Sequence, residues 1–330
     1  MKKKTRRFFS FLQLLISATL LFFVVFKYNI SLFNFSQKLP EPLWLLLSLL
    51  ITLILIPFLA AFRWKIFLKA SGVSENVFNL MKINFISVFW GIFLPSADGF
   101  AAIRIYLIEK KYPDFAGKTG SSVIVEKLFG FILLCLWGIV GTFMLPKTIK
   151  TDFIKIMLFS LFFVLLLILF CLSNKRIYNF LAPLSDKLKF GGKISLYLKK
   201  LHLALTEFPY KKTVIFTLPI MITFQFLTIL NVFFIFKASG QDLPLFYHLT
   251  FVPTIFIISL IPVSISGFGV RETAFVYFYR LLGISATISF KVSILNFLIL
   301  SGIPAFIGGI ISILEQIRKN DFFINRNSRI

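Results

Sequence analysis

Pro262-Val263-Ser264-Ile265-Ser266-Gly267-Phe268-Gly269-Val270-Arg271-Glu272 interrupts an otherwise apolar stretch of the chain. Unwound backbone and a charged pair at membrane depth are tolerated only where protein or a water-filled cavity covers them. The segment therefore predicts a polar site inside a membrane protein. Working outward, the 330 residues are 58% hydrophobic with 45 Phe, and the mean hydropathy is +0.90. A soluble domain has a lower apolar fraction and breaks its apolar runs with charge. Here several runs approach the ~20 residues that a membrane-crossing helix needs. The net charge of +23 raises nucleic acid as a partner, but the basic residues sit in the short segments between apolar tracts, the pattern of cytoplasmic loops. No nucleic acid is expected. Cys135 and Cys171 lie within apolar tracts and read as small buried hydrophobes.

Uncharged residues 8–26 follow Lys2, Lys3, Lys4, Arg6 and Arg7. A secretory signal has this layout, but the apolar region is long and no small-x-small cleavage site precedes Lys27, so an uncleaved first span is expected. Residues 43–62 form the second span, kinked at Pro57, with Arg63, Lys65 and Lys69 marking a cytoplasmic end. Residues 83–94 are too short for a full crossing and predict a re-entrant half-helix. Further spans are expected at 121–145, 156–172 and 213–236, with three more in 247–314. The basic stretch 173–212 and the tail 315–330 are assigned to the cytoplasm. The expectation is one all-α, multi-pass domain of about eight spans over residues 1–330, in the cell membrane, with both termini cytoplasmic.

Leu94-Pro95-Ser96-Ala97-Asp98-Gly99-Phe100, with Arg104, parallels the opening segment. Each reads aliphatic-Pro, small polar residues, Gly-Phe, then an Arg. Paired interrupted segments in two halves of a chain point to inverted repeats with a site near the midplane. Pro ends one half-helix, Gly turns the backbone, and the next half-helix presents free N–H groups to an anion. Asp98, Arg104, Ser264, Ser266, Gly267, Gly269, Arg271 and Glu272 are thus candidates for binding an anionic head group. The alternative is that Asp98–Arg104 and Arg271–Glu272 are structural pairs. Glu126, in Val125-Glu126-Lys127-Leu128-Phe129-Gly130, is a further candidate, seeking Arg104 or a substrate amine; Lys127 is expected to snorkel to the interface. No catalytic constellation, cofactor motif or metal cluster stands out: His202 and His248 lack ligand company, and Ser264 and Ser266 have no nearby His.

At these residues the chain resembles the lysylphosphatidylglycerol synthase transmembrane region family. Residues 262–272 are similar to its Pro-x-Ser-x-Gly-Gly-x-Gly-x-Arg-Glu signature, with Ser266 in place of the first Gly. Phe93-Leu94-Pro95 with Asp98, Gly99 and Arg104 resembles its first signature, though the order Ala97-Asp98-Gly99 departs from Gly-Gly-Asp. Glu126-Lys127 to Gly130 resembles Glu-Arg-x-x-Gly, and Arg63-Trp64 resembles an Arg-Trp that follows the second span. Lys127 for Arg loses a planar fork. The resemblance, over about residues 10–315, implies a flippase-like membrane region that moves an anionic or aminoacylated (glyco)lipid between leaflets. It implies no enzyme, since the chain runs only a short way past its last apolar tract and the cytosolic aminoacyl-transferase domain of full-length relatives is not expected. The other reading is a membrane subunit or accessory protein of a lipid-modifying, glycosyl- or aminoacyl-transferring enzyme. Lipid- or glycan-synthesis enzymes are the expected partners.

Overall fold

The computed structural model describes residues 2–30, 41–94, 99–115, 117–146, 149, 152–186, 202, 205–206, 210–261 and 263–327. Among them the chain is all-helical. The order is α1 (Lys2–Lys27), α2 (Pro42–Leu50), α3 (Ile56–Ala70), α4 (Val77–Ile92), α5 (Gly99–Lys111), α6 (Lys118–Met144) and α7 (Asp152–Ser173). It continues with α8 (Lys175–Asp186), α9 (Tyr210–Ala238), α10 (Leu245–Ser259), α11 (Val270–Arg280), α12 (Ala286–Phe297) and α13 (Ile303–Asn327). Among the described residues, five helical stretches are long and apolar enough to cross a membrane: Pro42–Ala70, Lys118–Met144, Asp152–Ser173, Lys212–Ala238 and Ala286–Gln316. Gln13–Lys27, Val77–Ile92 and Leu245–Ser259 are shorter apolar helices. The protein is a membrane helix bundle.

Two long crossings contain π-helical turns. Ile51–Leu55 joins α2 to α3 just before Pro57, and Leu298–Gly302 joins α12 to α13 just before Pro304. Proline cannot donate a backbone bond and crowds the preceding turn, and a π turn accommodates it. The bend expected at Pro57 takes this form. Arg63 is not at the end of its helix, which continues to Ala70 and buries Arg63 along the way. The basic stretch after residue 173 is partly helical, as α8, and α13 carries the helix through the expected tail as far as Asn327.

Two half-length pairs, α4–α5 and α10–α11, flank the two interruptions. Asn76 caps α4 by accepting the Phe78 N–H at 3.0 Å. The first break is tight: a Cβ on Gly91 would sit 2.6 Å from the Phe100 nitrogen. Trp64, Leu68, Leu80, Ala101, Ile108 and Val123 form an apolar core shared by α3, α4, α5 and the start of α6. A larger core, built on Phe236, Phe251, Phe275, Phe278 and Tyr279, holds α9 to α12 together. Lipid tails are as apolar as leucine, so helix association needs close packing and polar links. Asn231 on α9 supplies one link, accepting from Ser48 at 2.7 Å and Thr52 at 3.1 Å and donating to Asn296 at 3.4 Å. By contrast α7 exposes Phe153, Ile156, Phe163, Leu167 and Phe170, a face for hydrocarbon.

Candidate functional site

Both interruptions open onto one cavity of about 430 Å³. From the first come Gly91, Ile92, Gly99, Phe100 and Arg104; from the second come Leu260, Ser266 and Arg271. The two are joined directly, because the Ser266 hydroxyl donates to the Ile92 carbonyl at 3.2 Å. Ser266 adopts φ +49°, and Gly267 and Gly269 follow at +76° and +83°. Left-handed backbone is cheap for glycine and strained for serine. The strain places Ser266 against the opposite break.

Glu126 on α6 lies at the centre. Its Oε1 accepts from Arg63 Nε at 2.7 Å and Nη2 at 2.5 Å, and its Oε2 accepts from Arg104 Nη2 at 2.9 Å. All three residues are buried. Arg271 is fixed by its neighbour: Glu272 Oε1 accepts from Arg271 Nε at 3.1 Å and Nη2 at 2.5 Å. Glu272 Oε2 accepts the Gly269 N–H at 2.6 Å, closing the start of α11. Charge near a helix N-terminus and a satisfied orphan N–H both favour a carboxylate there. Each cation also lies over a ring: Arg104 over Trp64 at 4.1 Å, Arg63 over Phe224 at 4.6 Å, Lys127 over Phe100 at 4.5 Å and Arg271 over Phe297 at 4.7 Å. Desolvated contacts of this kind contribute ~2 kcal/mol.

Arg104, Glu126, Ser266 and Arg271 line the cavity among the residues singled out from sequence. Glu272 stands behind Arg271, and Gly267 and Gly269 shape the turn. Ser264 is buried, with no hydrogen-bond partner among the described residues, and does not line the cavity. Asp98 and Pro262 lie outside the described residues. Lys127 does not snorkel: it lines the cavity wall. Arg63 was missed as a site residue, and its one sequence signal was the Arg-Trp resemblance. Asn84, Gln225 and Thr228 also line the cavity and carried no sequence signal. Apart from Thr52 and Ser301, the remaining wall is apolar, including Ile56, Phe85, Val88, Phe131, Leu134 and Phe256. Among the described residues, four cations and two carboxylates, one of them behind the wall, give the cavity excess positive charge beside an apolar surface. His248 stays apart, buried with its Nδ1 2.7 Å from the Tyr279 hydroxyl.

Outside the membrane-spanning helices, Glu75 ties the α3–α4 turn to the end of α5. Its carboxylate takes Lys111, the Tyr112 hydroxyl at 2.7 Å, Asn79 Nδ2 at 3.0 Å and the Asn76 N–H at 3.0 Å. Burial alone would raise its pKa, but these four donors outweigh it and hold the group at about 2. Burial and the adjacent carboxylate push Tyr112 up to about 12.

This arrangement defines a class: a multi-pass helix bundle enclosing a cationic, partly apolar cavity between two interrupted helices. The chain belongs to the family described as the lysylphosphatidylglycerol synthase TM region, whose profile matches residues 10–308. It is similar to the UPF0104 membrane protein MJ1078 of Methanocaldococcus jannaschii, at 29% identity over 202 residues, which cover 59% of this chain and 81% of that protein. No solved structure matches it.

Proposed function

We propose that the protein moves an anionic lipid between membrane leaflets, with the cavity between the two breaks as its binding site. The supporting observation is the wall itself, which combines the cations Arg271 and Lys127 with aromatic and aliphatic side chains. A phosphate fits the first and acyl or prenyl chains fit the second. Arg271 keeps one face of its fork for a phosphate oxygen while Glu272 holds the other. Glu126 fixes Arg63 and Arg104, so their positive charge is present before the lipid arrives. The role is transport without catalysis, in the cell membrane with both termini cytoplasmic. Lipid- or glycan-synthesis enzymes are the partners expected to supply or consume the lipid.

The test is reconstitution in vesicles carrying fluorescent lipids of different head groups, with a membrane-impermeant quencher reporting the outer leaflet. Loss of the protected fraction for an anionic lipid, over that in protein-free vesicles, is the expected result. A correctly folded protein that leaves every lipid in its leaflet would sink the reading and favour the accessory-subunit role. An impermeant thiol reagent that labels a cysteine placed at Lys187 from outside intact cells would refute the orientation.

A further inference from the structure

Among the described residues of the cavity wall, Asn84 has an amide that is buried with neither Nδ2 nor Oδ1 hydrogen-bonded. A buried amide without partners is costly, and a native site retains one where a partner arrives later. Asn84 lies on the stripe of α4 that includes Val88, Gly91 and Ile92, all lining the same cavity, so one helix face runs from the amide to the break. Neighbouring atoms cover the amide, and the broad χ2 torsion of Asn lets it turn.

The carboxylates point the same way. Both oxygens of Glu126 are occupied by Arg63 and Arg104, and both oxygens of Glu272 by Arg271 and the Gly269 N–H. A head-group ammonium would have to share these carboxylates with the arginines, in a space that is rich in positive charge among the described residues. A hydroxyl both donates and accepts, so it completes both halves of the Asn84 amide. An ammonium only donates, and leaves Nδ2 unmet.

We propose that the lipid is a phosphodiester with a hydroxyl-bearing, amine-free head group, and that Asn84 reads the hydroxyl. This rests on the lipid-transport reading, but it is tested by binding. Purified full-length protein in detergent is titrated with phosphatidylinositol, with phosphatidylmethanol (the same charge without a head-group hydroxyl), with phosphatidylethanolamine and lysylphosphatidylglycerol, and with soluble glycerophosphoinositol, following thermal stabilisation. Phosphatidylinositol is expected to bind about tenfold more tightly than phosphatidylmethanol, as one or two lost hydrogen bonds require. Asn84→Leu should remove that preference and leave phosphatidylmethanol unchanged. Asn84→Ser, which keeps a single hydroxyl, should keep part of it and serves if the leucine variant fails to fold.

Equal losses for both lipids would reduce Asn84 to a shape-giving residue and overturn the proposal, as would no binding of any lipid. Amine-bearing lipids binding as tightly as phosphatidylinositol would overturn it too. Glycerophosphoinositol binding as tightly as its lipid would make the ligand a soluble organic phosphate, again against the proposal. If the Asn84-dependent preference holds while no lipid is moved in vesicles, the proposal stands and the transport reading falls.

Discussion

Replacing Glu126 with Gln tests whether the cavity is organised as described. The change is nearly isosteric, but it removes the carboxylate that bridges two buried arginines. In the native protein Oε1 holds Arg63 at 2.5 Å and Oε2 holds Arg104 at 2.9 Å, and Glu126 itself is only 1% exposed. Gln offers one acceptor and turns an amide toward the other guanidinium. Removing one partner from a buried ion pair costs about 3–5 kcal/mol, because the remaining charge is left without compensation. At about 2 °C per kcal/mol, the large-chain end of the scale, the melting temperature should fall by roughly 6–10 °C. The assay is thermal unfolding of purified protein in detergent, followed by tryptophan fluorescence. Arg63→Gln in the same background restores the charge balance, so the double variant should be more stable than the sum of the single losses by ~1–3 kcal/mol. A Glu126→Gln protein that melts within about 2 °C of the native one would refute the reasoning.

Arg271→Lys keeps the charge and loses the fork, so it should slow lipid movement in a folded protein; Arg271→Ala should weaken it roughly tenfold to a hundredfold, the loss of a charge-assisted contact of ~1.5–3 kcal/mol. Normal transport by a well-folded Arg271→Ala protein would remove Arg271 from the site. Glu75 has its pKa held at about 2 against an ordinary 4.5, so its contribution is full above pH 4.5 and fades as the pH falls toward 2. Glu75→Gln should therefore lower the melting temperature at pH 7 by about 2 °C, for about 1 kcal/mol in a partly solvated cluster; the same drop persisting at pH 2 would contradict this origin. Gly308→Val should destabilise by at least ~1–3 kcal/mol, because a Cβ there runs into the Phe85 carbonyl where α13 crosses α4; an unchanged melting temperature would mean that the two helices are not packed so closely.

The sequence alone fixed a good deal, for physical reasons that are local. Apolar tracts of bilayer length make membrane helices because no backbone group can stay unpaired in hydrocarbon. The Pro-and-Gly interruptions at 95–99 and 262–269 were legible for the same reason, since proline removes a donor and glycine alone turns cheaply through positive φ. Arg104, Glu126 and Arg271 stood out as charges in apolar surroundings. Their partners did not, because pairing is decided across the bundle. Arg63 read as the end of a span since basic residues usually mark one, but the helix runs on past it and turns it inward against Glu126. Lys127 read as a snorkelling lysine, and the direction of its side chain depended on how α6 rotates against α5. Asn84 carried no signal at all: an amide on an apolar helix is ordinary in sequence, and only the packing of α4 against the two breaks leaves it unpaired beside the cations.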